Sequence, residues 1–112
     1  LPLDSKGNLI KGKIGKEISL EQGRQAAEIC ALNLLAQLKK ITGSLDKVKS
    51  CIKITGYVNS TDSFIDQPKV INGASDLISQ IFGDKGKHAR AAVSVNSLPL
   101  GASVEVEGIF EV

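Results

Sequence analysis

Residues 88–107 read His-Ala-Arg-Ala-Ala-Val-Ser-Val-Asn-Ser-Leu-Pro-Leu-Gly-Ala-Ser-Val-Glu-Val-Glu, and this stretch decides the fold. Two runs of period two flank a Leu-Pro-Leu-Gly break. In the first, Ala91, Val93 and Val95 share one face, and Arg90, Ala92, Ser94 and Asn96 share the other. The second continues to the C-terminus as Ser103–Val112. There Val104, Val106, Phe110 and Val112 turn inward, while Glu105, Glu107 and Glu111 take the opposite face. Such alternation marks strands with one face in a core. The short connection Leu98–Ala102 suits a hairpin.

Working back from this pair, the run from Asp66 to Gly83 has helical spacing. Val70, Ala74, Leu77, Ile78 and Ile81 form its apolar stripe, Asp66 is a good cap, and Pro68 falls in the first turn, where a missing N–H costs nothing. Val48–Asn59 is a strand by its β-branched residues. It sets Val48, Ile52, Ile54 and Val58 against Lys49, Cys51, Lys53, Thr55 and Tyr57. A longer helix precedes it. Ser19 and Gln22 form a capping box, Ala27, Cys30, Ala31, Leu34, Leu35, Leu38 and Ile41 make the stripe, and Gly43 ends it. Residues 4–17, rich in Asp, Ser, Lys, Gly and Asn, form a loop with a short extended piece at Leu9–Ile10. The order helix, strand, helix, strand, strand predicts an α+β sandwich, two helices on one face of a small mixed sheet, with residues 1–112 as one domain.

The composition agrees. At 112 residues the chain has room for one modest core, and 42% hydrophobic against 23% charged residues is the balance of a globular domain. With Tyr57 and three Phe as the only aromatics, that core is aliphatic, and association with further copies is a natural way to bury more surface. A net charge of +2, with Lys and Arg interleaved among acids, leaves no basic stripe for nucleic acid. No apolar run approaches the roughly 18 residues of a membrane span, and no charged leader precedes an apolar stretch. Cys30, in a helical apolar pattern, and Cys51, in a strand pattern, read as reduced and partly buried, which suits the cytoplasm. With His88 the single histidine, no zinc set is available.

Chemistry is harder to place. On the alternation above, the sheet face away from the helices carries Arg90, Ser94, Asn96, Glu105 and Glu107 on two neighbouring strands. The plain explanation is a solvated face. The functional one is a face covered by another subunit, where Arg90 offers a carboxylate its fixed fork of donors and a Glu holds or deprotonates a water. Serine- or cysteine-based triads would have to use His88, which sits in a Gly/Lys loop with no evident orienting partner and reads as an exposed loop residue. The glycines nearby lack the spacing of a phosphate loop.

Residues 88–107 resemble the C-terminal signature of the RidA/YjgF family: an Ala-Arg pair, a strand, a Leu-Pro turn and a Val-Glu-Val-Glu strand. Lys47–Asn59 is similar to that family's central strand, Asp66–Asn72 to the start of its second helix, and Leu1–Asp4 to the segment after its Ser-Gly-Gln strand. Val70–Leu77 resembles the branch often labelled endoribonuclease L-PSP. The resemblance implies a chorismate-mutase-like fold whose N-terminal strands lie before Leu1, outside this chain. It further implies a homotrimer with sites in the clefts between subunits. The implied activity is cofactor-free hydrolysis of 2-imino acids, such as 2-iminobutanoate and 2-iminopropanoate, to 2-oxo acids and ammonia. Carried onto this chain, Arg90 binds the substrate carboxylate, Glu105 sits near the water, and Asn72 belongs to the binding site.

Two positions depart from the family pattern. Ala92 stands where many active members have Cys, and the strands that give the family's pocket a Tyr and a Ser precede Leu1. Ala92 and the branch-specific second helix keep open a non-enzymatic module that binds 2-oxo acids or acts like a chaperone. An RNA-cleaving or translation-inhibiting role, which the branch label suggests, is less well supplied. One His, no aromatic platform and a charge of +2 are poor equipment for it.

Overall fold

The computed structural model describes residues Leu1–Val112. Helix α1 spans Leu20–Thr42, and both bonds of the capping box form: Gln22 N donates to Ser19 Oγ (3.1 Å) and Ser19 N to Gln22 Oε1 (2.9 Å). Gly43, at φ 85°, ends it in the left-handed region and returns its N–H to Lys39 O. Gly23, Ala26, Ala27, Cys30, Ala31 and Leu35 are its buried positions. Ile41, expected in the stripe, lies in the last turn of the helix and is 81% exposed.

Helix α2 spans Gln67–Phe82. Asp66 is its N-cap, but the carboxylate makes no cap hydrogen bond and lies 3.7 Å from Lys69 Nζ instead. Val70, Ala74 and Ile78 are buried as expected. Ile81 is 44% exposed, and Ile71, outside the expected stripe, is fully buried over Gly56. The two helices cross closely at Gly73, where a Cβ would run into the backbone carbonyl of Arg24. None of the helices is long and apolar enough to cross a membrane.

Strand β1 (Ser50–Asn59) is the centre of a three-stranded mixed sheet ordered β2-β1-β3. Strand β2 (Ala89–Val95) runs parallel to it and β3 (Val104–Glu111) antiparallel. The expected hairpin therefore does not form. Residues 96–103 carry the chain past the end of β1, where Asn59 Nδ2 donates to Ala102 O and Asn59 N to Ser103 O. Lys13 Nζ pins the same corner, donating to Asn59 Oδ1 (2.9 Å) and to the carbonyl of Asn96.

A bulge corrects the expected faces of β1. The register moves from Cys51↔Phe110 to Lys53↔Ile109, leaving Ile52 unpaired. Cys51 thereby enters the core at 2% exposure, and Ile52 turns outward at 51%. Beyond the bulge, Ile54 and Val58 face the helices and join α1 and α2 in one core of 14 residues.

Register also corrects the two outer strands. Arg90 is the partner of Ile54, Ala92 of Gly56 and Ser94 of Val58, so these three lie on the helix side. Ala91 and Val93, partners of Thr55 and Tyr57, lie on the open face, where Val93 is 43% exposed. Val112, expected inside, is 59% exposed.

Candidate functional site

Arg90 leans from the edge of the sheet against α2. Its Nη1 donates to Asn72 Oδ1 at 2.6 Å and to Ser75 Oγ at 3.3 Å. Both partners are neutral, and no carboxylate approaches the guanidinium within salt-bridge distance; the other arginine, Arg24, lies 3.9 Å from Glu21. Arg90 is thus aimed by two hydrogen bonds while its charge and its remaining donors stay unmatched.

His88 belongs to the same network. Its Nδ1 contacts the carbonyl of Gly86, which can only accept, so Nδ1 carries the proton. Nε2 is then the acceptor for the Ser75 hydroxyl at 2.9 Å. Ser75 passes its proton toward His88 and accepts from Arg90, satisfying both requirements with one oxygen. His88 is half-buried and oriented, which corrects the expectation of an exposed, unpartnered loop residue. The reason is tertiary: its partner stands 13 residues earlier, on α2.

Ser75, Ser79, Lys87, His88 and Arg90 line a shallow cleft of about 310 Å³. The sequence did carry a signal for it. Asn72, Ser75 and Ser79 repeat at helical spacing, giving α2 a polar stripe beside its apolar one. A larger hollow of about 620 Å³ lies between α1 and the opening segment, lined by Leu1, Leu3, Cys30, Asn33 and Leu34 among others.

Glu105 is not brought to Arg90. It pairs with Tyr57 on β3, facing the open side of the sheet, whereas Arg90 is on the helix side of β2, with β1 between them. The single polar face carrying Arg90, Ser94, Asn96, Glu105 and Glu107 does not exist, because β2 and β3 are not neighbours and their polar residues point opposite ways. The acids belong to a separate group, in which Tyr57 Oη donates to Glu107 Oε1 at 3.0 Å. That bond, with burial and the two glutamates, holds the phenol above its ordinary pKa.

Burial sets the two thiols. Cys30 is 2% exposed with its Sγ 3.8 Å from Val104 O, and desolvation pushes its pKa up to about 11. Cys51 shifts upward for the same reason. Both are free and buried.

The family described as "YjgF/chorismate mutase-like, putative endoribonuclease" matches residues 2–111. Protein TCP17 of Trypanosoma cruzi is 44% identical over an alignment of 112 residues that covers 99% of this chain and 70% of that protein. The crystal structure of Atu1372 from Agrobacterium tumefaciens, a protein of unknown function, superposes with a TM-score of 0.95 at 44% identity, covering 99% of this chain and 72% of that one. A structure from Shewanella oneidensis, bearing an endoribonuclease description like the family's, gives 0.87 at 34% identity over 90% of this chain and 68% of its own.

Proposed function

The chain belongs to the YjgF/chorismate-mutase-like family, and we propose that it hydrolyses reactive 2-imino acids to 2-oxo acids and ammonia, as a homotrimer and without a cofactor. The observation that carries this reading is Arg90: a guanidinium oriented by Asn72 and Ser75, uncompensated in charge, at the rim of a cleft. A bidentate carboxylate is the ligand that such a fork accepts best. With the carboxylate held there, water adds to the imine carbon as the C=N electron pair moves to nitrogen, which takes one of the water's protons to give a carbinolamine. The second proton then passes from the hydroxyl to nitrogen as the C–N bond breaks, and ammonia leaves a 2-oxo acid. Glu105 from a second copy, brought against the Arg90 cleft by assembly, is the group assigned to hold that water.

The test generates 2-iminobutanoate and 2-iminopropanoate in situ and follows their hydrolysis. Wild type accelerates it; Arg90→Ala loses about 2 kcal/mol or more of transition-state binding, roughly 30-fold in rate. Undiminished turnover by the variant removes Arg90 from the mechanism.

A second reading, binding of 2-oxo acids without turnover, draws support from Ala92, whose methyl packs on the core where many relatives by resemblance carry Cys. Tight 2-oxo acid binding with no imine turnover is its mark. RNA cleavage has less behind it, since both ring nitrogens of the one histidine are already engaged.

A further inference from the structure

The cleft beside Arg90 has no apolar wall. Its five lining residues are Ser75, Ser79, Lys87, His88 and Arg90: two hydroxyls, two cations and an imidazole, with no carboxylate among them. A pocket selecting a short aliphatic side chain would bury methyl or methylene groups against apolar partners, and this protomer supplies none. We propose that the cleft is built for substrates with a second acidic group, the 2-imino dicarboxylic acids, with one carboxylate on Arg90 and the other at Lys87. This rests on the reading of Arg90 as a carboxylate anchor and extends it to the substrate's far end.

The cleft sets two cationic side chains, Lys87 and Arg90, within reach of one small molecule. Ser75 Oγ lies 2.9 Å from His88 Nε2 and 3.3 Å from Arg90 Nη1, so imidazole and guanidinium sit one hydroxyl apart. Lys87 precedes His88 and reaches the same space; its ion pair with Asp84, at 3.4 Å, is almost wholly exposed and therefore weak. An incoming carboxylate competes readily for that ammonium. A volume of about 310 Å³ accommodates a compact dicarboxylate. The reaction supplying such a substrate is the oxidation of an acidic amino acid at its amine-bearing carbon, and the product is a 2-oxo dicarboxylate.

The 2-oxo acids serve as stable probes, and His88, the chain's single histidine, is the reporter. Binding of 2-oxoglutarate and of 2-oxobutanoate is followed through its ring resonances by NMR. The proposal expects 2-oxoglutarate to bind about tenfold more tightly, the gain of one charge-assisted hydrogen bond. Lys87→Gln, an exposed change that leaves the fold intact, removes most of that preference; Arg90→Ala weakens both ligands. Equal binding of the two probes overturns the second-carboxylate site and leaves the imine hydrolase reading standing. A preference undiminished in Lys87→Gln overturns the assignment of Lys87. Binding of neither probe overturns this proposal and the carboxylate-anchor reading together.

Discussion

Cys30 shows how one side chain ties the core to solution conditions. Its thiol sits at 2% exposure and holds its proton up to about pH 11, against an ordinary value of 9.0, because burial disfavours the thiolate. The folded state therefore binds this proton more tightly than the unfolded chain does. The contribution is complete below about pH 9 and is lost as pH rises toward 11, a swing of about 2–3 kcal/mol. Denaturant titrations of wild type and Cys30→Ala across that window should show their stability difference shrinking by this amount; parallel curves would refute it. At the same scale, legibility in the sequence was uneven. Arg90 and Asn72 were both singled out by resemblance, and they meet at 2.6 Å. Ser75 and His88 were missed because each looks ordinary alone; only the packing of α2 on β2 makes one the partner of the other.

The elements were legible where their signals are local. The capping box at Ser19 and the glycine at position 43 fixed both ends of α1, since each acts within one turn. The faces of the strands were not legible, because alternation gives a period and not an orientation. Small apolar residues on β2 suggested an inward face, whereas register with β1 puts Ala92 inward and Val93 outward. Nothing in Cys51–Lys53 announced the bulge that exchanges Cys51 for Ile52. The α1–α2 crossing is equally invisible in sequence, although Gly73 makes it possible. A methyl there meets the Arg24 backbone carbonyl, which cannot yield as a flexible side chain would. Gly73→Ala gains helix propensity of about 1 kcal/mol but forces the helices apart. The net result should be destabilisation of about 1–3 kcal/mol, as in overpacked cores. A urea midpoint unchanged or raised in Gly73→Ala would show that the crossing has slack.

At the scale of the whole molecule, the open face of the sheet and the separation of Arg90 from Glu105 are one problem. Val93, Ile109 and Ile52 are 43%, 56% and 51% exposed on that face, interspersed with Lys53, Glu105 and Glu107. A surface of this kind is suited to contact with further copies. A trimer has three times the 11.8 kDa mass of one chain, which light scattering reads directly. If the site joins Arg90 of one copy to Glu105 of the next, variants defective in one partner should complement each other. Arg90→Ala and Glu105→Gln would each be strongly impaired alone. Co-expressed in equal amounts, three trimers in four contain both variants. Closed threefold symmetry then gives each mixed trimer a single interface where an intact Arg90 faces an intact Glu105. Activity should return to roughly a quarter of wild type, one site in three across those trimers. Recovery at that level could not arise from a site contained within one chain, because no single protomer in the mixture is whole. A mixture as impaired as its components, from a protein shown to be trimeric, would remove Glu105 from the Arg90 cleft and confine the chemistry to α2, β2 and the loop that carries His88.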